Sequence, residues 1–376
     1  MKIVENGGEN TPPLKYKTTI VIMDYKRLGD YIREVNVRNR DLKVTNLLGL
    51  SVSKEFMPLI ANTIGTDMST YKVVERDQLV YIADTSRRGD KIAIGLLDKY
   101  DTAIVSQAYT VFEVTDHELL LPEYLMMWFR RPEFDRYARF HSHGSAREIF
   151  DWDELCDVML PVPSITCQRE IVSEYETLTN RIRLNNQMIQ HLEATAQALY
   201  RKTFVDNIDK ENLPEGWRTG TLGEIADIKN GKAIVPVEGD IPIYGGNGIV
   251  GYTNSSNAEN VVVIGRVGIN CGSLYLHQSK CYVNDNAMIA IPKNGNTIFL
   301  YRTMKEMDLN SQSEGSGQPL LTQSIIYKQE CLIPKLEQRI KFEEQMRIVY
   351  KLKSLKEADN ANLTELQSLL LAKMGQ

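Results

Sequence analysis

The sequence predicts a mixed α/β protein: two globular domains separated by two long antiparallel coiled-coil helices, as an internal pseudo-twofold repeat. Three observations predict it. Short motifs occur twice in the same order, two long stretches free of internal proline and glycine carry a helical stripe, and short β-rich runs alternate with turn residues.

The duplication comes first. Leu28-Gly29-Asp30-Tyr31-Ile32 recurs as Leu222-Gly223-Glu224-Ile225-Ala226, and Gly144-Ser145 recurs as Gly315-Ser316. Each half then reaches a proline close to a Gln-Arg pair, Gln168-Arg169 and Gln338-Arg339, followed by a long helical stretch. The expected divisions are a first domain over 1–163, a spacer helix over 164–208, a second domain over 209–335 and a second spacer helix over 336–376.

Along the first domain, residues 78–82, 103–106 and 109–114 read as strands, and Pro122 opens a helix burying Tyr124, Leu125, Trp128 and Phe129. The first long helix, Gln168 to Phe204, has a seam of Ile171, Tyr175, Leu178, Ile182, Asn185, Ile189, Leu192, Ala196, Leu199 and Thr203. These steps alternate between four and three, the heptad stripe that winds helices into a left-handed coiled coil. Asn185 stands mid-seam, where a polar residue fixes register at some cost in stability. A polar linker, 206–212, and Trp217 lead into the second domain, where 261–264 and 287–291 read as strands. The last stretch, 338–374, carries Phe342, Met346, Val349, Leu352, Leu355, Leu363, Leu366 and Leu370, with Asp359, Asn360 and Asn362 as its polar centre. Two helices of matched length at equivalent places in a repeat most simply pack on each other, antiparallel.

Composition bounds the function. The 376 residues exceed what one core normally holds. Hydrophobics at 43% and charged residues at 25% exclude wholesale disorder. A net charge of −5 argues against a broad basic surface but leaves room for a local basic cleft. No run of about 18 apolar residues suggests a membrane span, and the N-terminus lacks a signal-peptide core. Five cysteines without a CxxC support neither a disulfide framework nor a zinc ribbon, so a cytoplasmic protein is expected. GxxxxGK[ST], HExxH, GxSxG and an Asn-Pro-Pro-aromatic run are absent, and no catalytic residue or metal site is expected. His141 and His143 have no third metal ligand nearby in sequence.

Candidate binding residues sit on turns. In the second domain, glycine-rich runs at 244–252 and 265–272 hold or neighbour Lys229, Lys232, Tyr244, Asn247 and Arg266. Such glycines serve tight turns, or they let backbone approach a ligand closely; both readings stand. Arg and Asn are the side chains that pair bidentately with guanine and adenine edges. In the first domain, Arg130, Arg131, Arg136, Arg139 and Arg147 concentrate positive charge against only Glu133 and Asp135. Arg139, His141, His143, Ser145 and Arg147 form the loop candidates, with Ser316 and Gln318 as counterparts in the second half. Arg87, Arg88 and Lys91 form a further candidate turn.

In its order of motifs the chain resembles the specificity subunit of type I restriction–modification enzymes. The matching features are Trp217 with 222–231, the 244–252 loop, Gly265-Arg266-Val-Gly268, the helix starts at Pro163 to Gln168 and Pro334 to Gln338, and the duplication. The first domain's loops after Leu28-Gly29-Asp30 do not repeat those of the second. The resemblance implies a non-catalytic reader of double-stranded DNA, with two target-recognition domains that each take one half of a bipartite sequence. It implies that the helices dock two modification subunits, which bring S-adenosylmethionine and methylate adenine. Two restriction subunits, using ATP and Mg, would join through them, with no membrane involved. A recognition lobe with an unrecognised nuclease or methyltransferase site, and a coiled-coil scaffold without DNA binding, remain as alternatives.

Overall fold

The computed structural model describes residues 24–59, 65–85, 91–144, 148–314 and 319–375. They form two compact units, one running to Arg181 and resuming at Asn362, the other comprising Ile182–Ala361.

The first unit contains β1 (Tyr25–Arg27), a 3-10 turn at Leu28–Asp30, β2 (Ile32–Val35), β3 (Leu48–Leu50), β4 (Phe56–Pro58), β5 (Lys72–Glu75), β6 (Leu79–Tyr81), β7 (Ile94–Leu96), β8 (Thr102–Val105) and β9 (Thr110–Val114). Helices α1 (Pro122–Arg130), α2 (Pro132–Phe140) and α3 (Trp152–Cys156) and strand β10 (Met159–Pro161) follow, leading into α4 (Ile165–Phe204). An antiparallel sheet runs β2-β9-β6-β7. Successive side chains of a strand point to opposite faces. Thus Leu79, Tyr81 and Phe112 enter one core, and Val80 and Val111 enter another. β1 pairs antiparallel with β10, Lys26 opposite Leu160, which ties the first strand to the one that delivers the chain to α4. The α1 helix buries Met126 and Met127 as well as the expected Tyr124, Leu125, Trp128 and Phe129. A helix apolar all round is a core helix rather than a surface one.

The second unit contains β11 (Arg218–Thr221), α5 (Leu222–Ile225), β12 (Ala226–Asn230), β13 (Ile241–Gly245), β14 (Gly248–Thr253), β15 (Ala258–Gly265), β16 (Leu274–Val283), β17 (Ala287–Pro292), α6 (Thr297–Lys305), α7 (Gln323–Tyr327), β18 (Glu330–Ile333) and the start of α8 (Leu336–Lys373). Its six-stranded sheet runs β12-β17-β15-β16-β13-β14, antiparallel except for β13 with β16. β11 pairs antiparallel with β18 just ahead of α8, as β1 does with β10 ahead of α4. The two Leu-Gly-acidic motifs each form a short helical turn after the first strand of that ribbon. The one at Leu222 is fastened by a capping box between Thr221 and Glu224.

The long helices pack antiparallel within each unit. In the second, Asn185 Nδ2 donates to Asp359 Oδ2 and Asn360 Oδ1, both at 2.9 Å, and Lys353 pairs with Glu193 at 3.1 Å. In the first, Gln367 Nε2 donates to Thr179 Oγ1 at 2.7 Å, and Val172, Leu371 and Met374 share a core. Ile171, Tyr175, Leu178, Ile182, Ile189 and Leu192 are half-buried along α4, and Asn185 and Ala196 are buried. The expected seam fails beyond Ala196. Leu199 and Thr203 are exposed, and Tyr200 and Phe204 are buried instead, against Phe299 and Phe342. Here α4 lies on a broad domain core rather than a narrow helix seam, and steps of four hold one face toward it. On α8, Phe342, Met346 and Leu363 are buried and Val349 and Leu370 half-buried, but Leu352, Leu355 and Leu366 are exposed. Tyr350, Leu371 and Met374 are buried there instead.

Candidate nucleic-acid interface

At one end of the second unit's sheet the strand ends converge. Gly231 N–H donates to Ala287 O at 3.0 Å, Asn284 N–H to Tyr244 O at 2.8 Å, and Arg266 N–H to Asn286 O at 3.1 Å. The turn after β15 is then pinned to a second loop. Gly268 N–H donates to Pro319 O and Leu321 N–H to Arg266 O, each at 3.0 Å, and Glu314 and Leu320 exchange both backbone bonds. A Cβ at Gly265 would stand 2.4 Å from Asn270 O and 2.8 Å from Gly246 O. The close approach that glycine permits here is therefore to the protein's own backbone. Gly268 has φ +71°, which favours glycine for a different reason.

The first unit builds the same frame. Thr85 N–H donates to Glu148 O at 3.0 Å, Phe150 N–H to Ala83 O at 2.9 Å, and His143 and Ile149 exchange both backbone bonds. The residues that follow β6 thus meet a loop closed by His143 and Ile149. Those that follow β15 meet one closed by Glu314 and Leu320.

The structure brings Lys232, Asn247 and Arg266 to this end of the second sheet. Lys232 donates its N–H to Val283 O at 3.0 Å, and Asn247 is exposed on the turn between β13 and β14. Arg266 is half-buried, and its buried Nε has no partner among the described residues. Lys229 is exposed on β12, opposite Ile289. Tyr244 departs from expectation: it is 8% exposed and belongs to a core cluster. Its hydroxyl lies 3.1 Å from His277 Nδ1, and burial pushes its pKa up to about 12 while lowering that of His277. Tyr244 thus lies within the core rather than on an exposed turn.

The basic stretch of the first unit also departs from expectation, because the fold supplies acids from elsewhere in the chain. Arg130 pairs with Glu55 at 3.1 Å, Arg136 with Glu133 at 3.1 Å, and Arg139 with Glu148. The Arg131 guanidinium lies over Trp128 at 4.2 Å. His141 Nδ1 and His143 Nε2 converge on the Glu154 carboxylate, at 3.1 and 3.3 Å. Arg139, His141 and His143 therefore each face a carboxylate of the protein itself. Lys91 is exposed. Arg87, Arg88, Ser145, Arg147, Ser316 and Gln318 lie outside the described residues. No group of three or more metal-binding side chains occurs among the described residues, and no described helix is long and apolar enough to cross a membrane.

Two α/β units, each setting a sheet on a long helix and pinning a turn to a loop at its strand ends, define a modular protein with paired candidate binding edges. Comparison with known proteins makes this specific. Residues 214–370 match the family described as type I restriction modification DNA specificity domain. The chain is 25% identical over 224 residues to the type I restriction enzyme EcoprrI specificity subunit of Escherichia coli, which spans 54% of this chain and 55% of that one. It is 26% identical over 137 residues to the HindI specificity subunit of Haemophilus influenzae, 36% of this chain and 29% of that one. The chain thus spans about half, or less, of the length of the curated relatives it matches. The crystal structure of the type I restriction-modification system S subunit from M. genitalium shares its fold. The TM-score is 0.65 over 98% of this chain and 99% of that one, at 16% identity. Residues 214–370 thus resemble the type I restriction modification DNA specificity domain, and the chain as a whole shares the fold of the M. genitalium S subunit.

Proposed function

We propose that this chain is the DNA-reading subunit of a type I restriction–modification enzyme and catalyses no step itself. Each unit reads one half of a bipartite duplex target, and the two units are copies of one ancestral plan. The observation that carries this reading is the turn-and-loop frame built twice from different side chains. In one unit Arg266, Val267 and Gly268 occupy the turn, in the other Ala83, Asp84 and Thr85. A common backbone frame with unlike side chains is what two readers of unlike half-sites require, since base edges are read by side chains.

Arg266, Asn247, Lys232 and Lys229 in the second unit, and Lys91, His143, Arg87, Arg88, Ser145 and Arg147 in the first, are the contacts proposed, with Ser316 and Gln318. The recognition domains are 1–163 and 209–335, and 164–208 and 336–376 are coiled-coil spacers. The spacers dock two modification subunits carrying S-adenosylmethionine, through which two restriction subunits using ATP and Mg join. The apolar side chains left exposed on the helices, Leu184, Met188, Ile348, Leu355, Leu366 and Leu369, support the docking role.

Methylome sequencing of cells expressing the chain with its modification subunit tests the reading. Two short specified blocks separated by unspecified bases are expected. A contiguous motif, or methyl transfer from S-adenosylmethionine by the purified chain alone, would overturn it.

A further inference from the structure

Ile269 is 91% exposed, the most exposed of the large hydrophobic side chains described. It occupies the middle of the turn Gly268–Asn270 between β15 and β16. Leaving such a side chain in water forgoes the free energy its burial would give.

The turn is not a loose one on which an apolar side chain lands by chance. Cys271 N–H donates to Gly268 O at 3.0 Å, Ser273 N–H to Asn270 O at 3.1 Å, and Gly272 N–H to Gly265 O at 2.9 Å. Cys271 Sγ lies 3.1 Å from Arg266 O, and Gly268 is held to Pro319 as described above. The fold spends its hydrogen bonds holding this side chain out. Asn270 follows it, Arg266 with its unpartnered Nε lies three residues before it, and the turn bearing Asn247 abuts Gly265 through Gly246 O, while Val267 and Pro319 adjoin the turn on its other side. A docking site for a protein would need a contiguous apolar patch of several hundred Å². A single protruding apolar side chain with an arginine and asparagines close by in the fold instead suits one small apolar group embedded in a polar anionic surface. The 5-methyl group of thymine in the DNA major groove is such a group: it adjoins hydrogen-bonding base edges and is flanked by phosphates.

We propose that Ile269 is a specificity-determining residue that packs on a thymine 5-methyl group in the half-site read by the second unit. The inference rests on the DNA-reading function proposed above. Arg266 beside it supplies a hydrogen bond to a neighbouring base edge or phosphate, and Ile269 supplies discrimination that no polar group on this turn provides.

The test uses the chain assembled with its modification subunit, on duplexes carrying the target identified by methylome sequencing. Each thymine of the second unit's half-site is replaced in turn by deoxyuridine, which removes only the methyl group. One replacement should weaken wild-type binding about fourfold, the equivalent of roughly 0.8 kcal/mol for one buried carbon. In Ile269→Ala the same replacement should have no further effect, while replacements elsewhere act as in wild type. Ile269→Val, which keeps a branched apolar side chain, should retain part of the discrimination. The inference is overturned if Ile269→Ala still distinguishes thymine from deoxyuridine at every position, or if the half-site contains no thymine on either strand. It is also overturned if 2-aminopurine fluorescence shows Ile269-dependent unstacking, which would mark a wedge between base pairs instead. Failure of the assembled complex to bind any specific duplex would defeat the functional reading itself. Specific binding that is indifferent to Ile269 would defeat this inference alone.

Discussion

Arg302 and Glu193 form an ion pair whose two ends stand in unlike surroundings, so removing either end should have unequal consequences. Arg302 lies on α6 and is 2% exposed. Its Nη2 is 3.0 Å from Glu193 Oε1, and its Nη1 donates to Gln197 Oε1 at 2.8 Å. Its guanidinium lies 5.4 Å from the ring centroids of both Tyr301 and Tyr350. Glu193 on α4 is a third exposed and also pairs with Lys353 of α8 at 3.1 Å. Glu193→Leu strands a buried cation, which costs about 3–5 kcal/mol. Arg302→Met leaves Glu193 with Lys353 and water and replaces the guanidinium by an apolar chain of similar reach, so about 1–2 kcal/mol is expected. The chain has two units and need not unfold in one step, so the readout is hydrogen exchange of the α6 amides. At 1.4 kcal/mol per tenfold, Glu193→Leu should lower α6 protection by roughly 150- to 4,000-fold and Arg302→Met by about 5- to 30-fold. The double variant should resemble Arg302→Met, because the stranded charge is gone. Equal losses from the two single variants, or additive losses in the double, would refute the argument.

At the end of α4, Leu199→Ser should change local stability by less than about 0.5 kcal/mol, whereas Phe204→Ala, which removes a ring packed on Phe299 of α6, should cost about 3–5 kcal/mol; hydrogen exchange of the α6 amides in the two variants compares them. Burial raises the carboxyl pKa of Glu343, opposed by hydrogen bonds from Ile298 and Phe299 N–H. Its stabilising contribution is therefore complete below the unfolded value of 4.5 and is lost as pH rises through the folded one. Glu343→Gln keeps an acceptor oxygen without the charge, so its melting temperature should exceed that of wild type at pH 7 and approach it near pH 4.5. Arg266→Ala should weaken specific DNA binding by about 1–3 kcal/mol if the guanidinium meets a base edge. If it meets a phosphate, specific and random duplexes should weaken alike and the salt slope should fall by about one, both read by titration at several salt concentrations.

The sequence by itself determined the elements whose signals are local. The strand readings at 78–82, 103–106, 109–114, 261–264 and 287–291 overlap β6, β8, β9, β15 and β17, and α1 begins at Pro122. The long helices were legible because a periodic stripe free of proline and glycine has few other ways to fold. They run Ile165–Phe204 and Leu336–Lys373, within three residues of the expected starts. Each Leu-Gly-acidic motif marked a short helical turn, at Leu28–Asp30 and at Leu222–Ile225.

What only the tertiary structure decided is which partner each side chain meets. Heptad spacing placed Leu199 in the seam, but a helix end lying on a domain core follows its own 3.6-residue period, so Tyr200 and Phe204 are buried. Charge read along the chain made 130–147 a basic patch. Glu55, Glu148 and Glu154 then face side chains of that patch, and Glu55 is 75 residues from its partner Arg130. A glycine-rich run could not reveal whether its glycines admit a ligand or a neighbouring strand, because that depends on backbone brought in from Gly246 and Asn270. Nor could an isoleucine between glycine and asparagine announce its exposure. Exposure is a property of what the remainder of the chain leaves uncovered, and local pattern carries no record of it.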